Sequence, residues 1–122
     1  MKKIIFLLVI IASYYGCKKD SILNYSSSLI GEWFWLKSCG GFAGGCDTPQ
    51  STNETMNLSF TIDSVYNYYL NDTLRGSGRF HVYKNVISYE NSISRTFLIS
   101  HDTLYLNDYC CDGFNSNYKR IK

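Results

Sequence analysis

Apolar and polar residues alternate along much of this chain with a period of two. The stretch from Met56 to Ile62 shows it most clearly: Met56, Leu58, Phe60 and Ile62 are separated by Asn57, Ser59 and Thr61. One apolar and one polar face predict a half-buried strand. An aromatic-rich strand opens earlier, at Trp33-Phe34-Trp35-Leu36. After a turn at Asp63-Ser64, Val65 to Leu70 supplies a tyrosine-rich partner. Arg75-Gly76-Ser77-Gly78 predicts a break, because glycine weakens a strand interior. Phe80 to Tyr83 resumes the pattern, and Lys84-Asn85 turns into Val86 to Tyr89. Ser94 to Ser100 and Thr103 to Asn107 flank His101-Asp102, and the hairpin signal Asp112-Gly113 leads into Phe114 to Ile121. About eight short strands, a lone proline (Pro49) and no long helix predict an all-β fold, a closed antiparallel barrel or a sandwich.

The first sixteen residues differ from the rest. Lys2 and Lys3 precede an unbroken apolar run from Ile4 to Ala12, followed by Ser13, Tyr14, Tyr15 and Gly16. A charged start, a short apolar stretch and small residues before a cut point describe a secretory signal peptide. The run is too short for a retained membrane helix, which needs about 20 apolar residues. Tyr14-Tyr15-Gly16-Cys17 resembles the lipobox of bacterial lipoproteins, in which a small residue precedes the acylated cysteine. That resemblance implies lipidation of Cys17 and attachment to the membrane by an N-terminal acyl anchor. Lys18-Lys19-Asp20 is similar to the charged start of lipoproteins of the Bacteroidetes, which implies an outer-membrane lipoprotein of the cell envelope, facing the periplasm or the surface. The expected organisation is a signal peptide over 1–16, a serine-rich tether over 17–28 and one domain over 29–122.

Charge narrows the partners. The chain has 12 Lys plus Arg against 10 Asp plus Glu, and removing 1–16 takes away two lysines and no acid. The mature chain is formally neutral, with no basic stripe for nucleic acid. Of the five cysteines, Cys39, Cys46, Cys110 and Cys111 stay in the exported domain, where an even count predicts disulfides. A bond between the adjacent Cys110 and Cys111 needs a strained ring, so cross-pairing with Cys39 and Cys46 is expected, with the connectivity open. Their spacing contains no zinc-type pair, and no metal is expected.

Leu29-Ile30-Gly31-Glu32-Trp33 resembles the opening motif of lipocalins, with Gly-x-Trp at the start of the first strand, and Tyr118-Lys119-Arg120 resembles their closing strand. The mature chain as a whole is similar to short lipocalin-like lipoproteins of the Bacteroidetes. The shared features are the loop Gly40-Gly41-Phe42-Ala43-Gly44-Gly45, the strand Asp102-Thr103-Leu104-Tyr105-Leu106, and the pair Cys111-Asp112-Gly113-Phe114 and Tyr118-Lys119-Arg120. The resemblance implies a small eight-stranded antiparallel up-and-down barrel over 29–121. In such a barrel Gly31, Trp33 and Arg120 effect closure, the arginine covering the tryptophan.

Catalytic chemistry finds no constellation. His81 and His101 lack a nucleophile motif, the carboxylates are scattered, and the Gly-rich loop precedes no helix. No enzyme activity and no cofactor are expected. Trp35, Tyr66 and Tyr68 are the candidates for facing a ligand, because tyrosine and tryptophan join an apolar body to a polar tip. The expected function is a non-catalytic module that binds a small apolar or amphipathic ligand. The alternative is a filled barrel whose surface contacts an envelope protein, since eight strands enclose an interior just wide enough for either. Asp20-Ser21-Ile22, Asp63-Ser64-Val65, Asp72-Thr73-Leu74 and Asp102-Thr103-Leu104 resemble an O-glycosylation motif of exported Bacteroidetes proteins and equally fit turn chemistry.

Overall fold

The computed structural model describes residues 27–109 and 112–122. The signal peptide, Cys17 and most of the tether lie outside the described residues. After a helical turn over 27–29 come β1 (Gly31–Gly40), β2 (Gly45–Asp47), the short helix α1 (Pro49–Thr52), β3 (Met56–Phe60), β4 (Val65–Leu70), β5 (Thr73–Tyr83), β6 (Val86–Tyr89), β7 (Arg95–Ser100), β8 (Thr103–Asp108) and β9 (Phe114–Arg120). β1 pairs antiparallel with β3, each strand from β3 onward pairs antiparallel with the next, and β9 returns to β1. The result is a closed eight-stranded up-and-down barrel of β1 and β3–β9, with β2 added beside β1. Closure leaves the barrel strands no bare edge.

Alternation fills the interior. Trp33 and Trp35 of β1, Leu58 and Phe60 of β3, Phe80 of β5, Ile87 of β6, Phe97 of β7, Leu104 and Leu106 of β8 and Tyr118 of β9 form one buried core with Leu29. Their partners two residues along stay on the same face, as the strand period requires. Tight turns set the register. In the β4–β5 hairpin both Asn71 (φ 48°) and Asp72 (φ 63°) are left-handed, the two-residue geometry that matches strand twist.

Three expectations are corrected. The predicted break at Arg75–Gly78 does not occur: β5 runs through it, with Gly76 opposite Tyr68 and Gly78 opposite Tyr66. The tyrosine rings of β4 occupy part of the space the glycines leave, and a Cβ on Gly78 would lie 3.0 Å from Tyr66 Cε1. Ile62 does not continue the β3 pattern. The Thr61 N–H donates to the Val65 carbonyl (2.9 Å) and the Ser64 N–H to the Thr61 carbonyl (3.1 Å), so a tight turn leaves Ile62 87 % exposed at its tip.

The third correction concerns the disulfides. Cys39 bonds to Cys46, which rules out cross-pairing of either with Cys110 or Cys111. β1 continues past its barrel partner β3 and folds back as β2 through Gly41 (φ 76°) and Gly44 (φ 66°), placing the two cysteines directly opposite each other. Their Cα atoms are 4.0 Å apart. Cys110 and Cys111 lie outside the described residues. No helix among the described residues is long and apolar enough to cross a membrane.

Candidate functional site: the open end of the barrel

The two ends of the barrel are built differently. At one end Gly31, Phe60, Val65, Tyr83, Val86, Ser100, Thr103 and Arg120 begin or finish their strands, and the chain enters through 27–30. This end is shut. Trp33 is fully buried, its indole N–H donates to the Leu29 carbonyl (2.9 Å), and the Arg120 guanidinium carbon stands 4.1 Å from its ring centroid. Arg120 also donates through Nη1 to the Ile30 carbonyl (3.0 Å) and through Nη2 to the Ser28 carbonyl, so it ties 28–30 over the ring. Gly31 (φ 141°) is needed beside this contact, since a Cβ there would overlap the Lys122 carbonyl oxygen and crowd Arg120.

At the opposite end lies a cavity of about 490 Å³. Met56, Leu58, Tyr66, Tyr68 and Gly76 form its wall on β3–β5, and Tyr89 continues it on β6. Asn91 and Ser92 of the β6–β7 loop, Arg95 of β7, and Phe114, Ser116 and Tyr118 of β9 complete it with Ser38. Gly76 makes the space: it faces inward, and the nearest atom a Cβ would meet is Tyr68 Cβ at 3.9 Å. A second depression of about 670 Å³ lies along β7, beside Lys84 and Asn85 where β6 has yet to begin. Its polar lining is Ser28, Lys84, Asn85, Thr96 and Asn107, fewer polar groups than line the first.

The wall is amphipathic. Tyr66 and Tyr89 pack edge to face with centroids 4.9 Å apart, and the Tyr68 hydroxyl reaches Met56 Sδ at 3.2 Å. Arg95 forms an ion pair with Asp108, directly opposite in the β7–β8 register, at 2.9 Å from Nε to Oδ1. Asp108 Oδ2 accepts from the Phe114 N–H at 3.1 Å, so both carboxylate oxygens are engaged. Burial pushes the Tyr118 hydroxyl up to about 12 and raises Tyr89 further, with the Arg95 charge pulling both back down in part. Burial also raises Tyr68, with Glu54 adding to it. These phenols are therefore neutral hydrogen-bond donors at physiological pH.

Of the three residues expected to face a ligand, Tyr66 and Tyr68 line the cavity. Trp35 does not. Its ring is buried in the core and its N–H donates to Ser38 Oγ (2.8 Å), which bonds in turn to Ser116 Oγ (2.7 Å). His81 and His101 are exposed and apart from the cavity, and Asp63, Asp72 and Asp102 sit at exposed turns. Among the described residues no three His, Cys, Asp or Glu are grouped so as to hold a metal ion. Sequence reasoning missed Arg95 and Asp108. The signal was available: Arg95 is in phase with Phe97 and Ile99, and Asp108 with Leu104 and Leu106, so alternation points both charges inward.

No family model matches this chain, and a comparison with curated proteins finds none similar to it.

Proposed function

We propose that this chain is a non-catalytic lipoprotein of the bacterial envelope, held by an acyl group on Cys17, whose lipocalin-like barrel binds a small apolar or amphipathic ligand. The observation that carries the reading is the cavity of about 490 Å³ at the end of the barrel away from the entering chain. Its size falls in the range of small-molecule sites, and an apolar wall with a few convergent polar groups is the usual make-up of one. An anchor at the entering end would hold the mouth facing away from the bilayer. Native mass spectrometry of the chain purified gently from its own membrane tests the reading. A bound small molecule is expected, and a bare chain contradicts it.

A second reading, contact with an envelope protein, is favoured by the rim. Phe42 is fully exposed at the tip of the β1–β2 hairpin, and Tyr109 (73 %) and Ile93 (59 %) are exposed on loops at the same end. Under that reading the cavity stays empty, and the rim residues are the ones whose replacement abolishes association.

A further inference from the structure

Within the cavity, hydrogen-bonding capacity is left over at one place. Arg95 is the only cation in the wall, and among the described residues Asp108 is its only partner. That ion pair brings Nε within 2.9 Å of Oδ1 without a hydrogen bond from the Nε–H, and a guanidinium carries four further N–H donors on its two Nη atoms. Asp108 is only 13 % exposed and shares its second oxygen with the Phe114 N–H, which fixes the carboxylate and through it the arginine. Nearby, the hydroxyls of Tyr66 and Tyr89 have no hydrogen-bond partner among the described residues. Arg95 is therefore the one lining group that can only donate, with hydroxyls free to donate beside it. The strip of wall formed by Met56, Leu58 and Gly76 is apolar.

We propose that the ligand is a carboxylate-bearing amphipath, its carboxylate on Arg95 and its apolar body along the strip at Gly76. This rests on the cavity being a ligand site and names the ligand's class. The planar guanidinium fork matches a carboxylate in two parallel hydrogen bonds, and an alcohol of the same length supplies only one acceptor. The Arg95–Asp108 pair is formally neutral, so discrimination comes from matched donors more than from net charge. Gly76 leaves the body its room: its φ is ordinary and a Cβ there meets nothing nearer than Tyr68 Cβ at 3.9 Å, so a larger residue projects into the cavity without straining the strand.

The test uses the full chain carrying Cys17→Ser, so that no detergent is needed, titrated with laurate and with 1-dodecanol below their aggregation limits. Laurate is expected to bind at least about tenfold more tightly than dodecanol, the weight of a hydrogen-bonded charge. Arg95→Gln should erase that preference, weakening laurate by at least about tenfold more than dodecanol. Arg95→Lys, which keeps the charge without the fork, should retain only part of it. Gly76→Val should weaken both ligands alike. Equal affinities in the parent, a preference that survives Arg95→Gln, or indifference to Gly76→Val each overturns the proposal while leaving a ligand-binding barrel standing. Failure of both ligands to bind, with the fold intact by circular dichroism, overturns it together with the reading on which it rests.

Discussion

Trp33 and Arg120 face each other across the seam that closes the barrel. They are direct partners in the β1–β9 register, and the guanidinium carbon lies 4.1 Å from the centre of the indole. The ring is fully buried, while the arginine spans from Trp33 to the carbonyls of Ser28 and Ile30. First strand, last strand and entering chain therefore meet at one contact.

Trp33→Ala should destabilise the fold by roughly 3 to 5 kcal/mol, the range for emptying a buried aromatic site. Arg120→Ala should cost less, since it loses stacking and packing but opens no large cavity. Because the two side chains touch, their losses should be non-additive by about 0.5 kcal/mol or more. A double-mutant cycle in urea measures this, and additive losses would mean the contact contributes nothing to closure.

The Cys39–Cys46 bond clips the added strand β2 onto the end of β1, where Cys39 also pairs with Asn115 of β9. Peptide mapping without reduction should recover a fragment joining Cys39 to Cys46. A fragment joining either to Cys110 or Cys111 would contradict this pairing. The enclosed loop is short, so the bond restricts the unfolded chain by roughly 2 to 3 kcal/mol. Removing both cysteines should lower global stability by less than that, because the hairpin can open while the barrel stays shut.

Alkaline pH should weaken the barrel through Tyr118. Its hydroxyl is raised by burial from 10.0 to about 12, so the folded state holds a proton the unfolded chain releases. The stabilisation is complete below the unfolded value near 10 and is lost as pH rises through about 12. A shift of this size corresponds to roughly 2 to 3 kcal/mol. Tyr118→Phe should flatten the fall in urea stability between pH 10 and 12 relative to the parent, and an unchanged slope would remove Tyr118 as its source.

The proposed anchoring rests on Gly16-Cys17 behind the apolar run. Cys17→Ser should move the chain from the membrane to the soluble fraction. Identical fractionation of variant and parent would refute lipidation at that residue.

Most of the barrel was legible in the sequence because its strands obey one rule, apolar inward and polar outward. Leu104 and Leu106, or Leu58 and Phe60, could be placed on one face without any structure. β5 was not legible. Glycine reads as punctuation when the chain is viewed alone, and only the pairing of Gly76 with Tyr68 and Gly78 with Tyr66 shows that a neighbouring strand covers the gap. The disulfide failed for a related reason: β2 is three exposed residues with no alternation to betray it, so nothing announced that Cys46 folds back onto Cys39. For the site, phase could put Trp35 beside Trp33 but could not say how deep either lies along the axis. Trp35 belongs to the packed interior and Tyr66 and Tyr68 to the cavity, a distinction set by where each strand ends.

The central claim is that the space beside Gly76 holds a ligand, and native mass spectrometry of the parent beside Gly76→Val tests it most directly. A Cβ at Gly76 meets nothing nearer than Tyr68 Cβ at 3.9 Å, so a Val side chain there projects into the cavity and narrows it. The parent, purified from its own membrane, should carry an added small-molecule mass that the equally folded variant lacks. A bare parent, or the same added mass on both, would contradict the account.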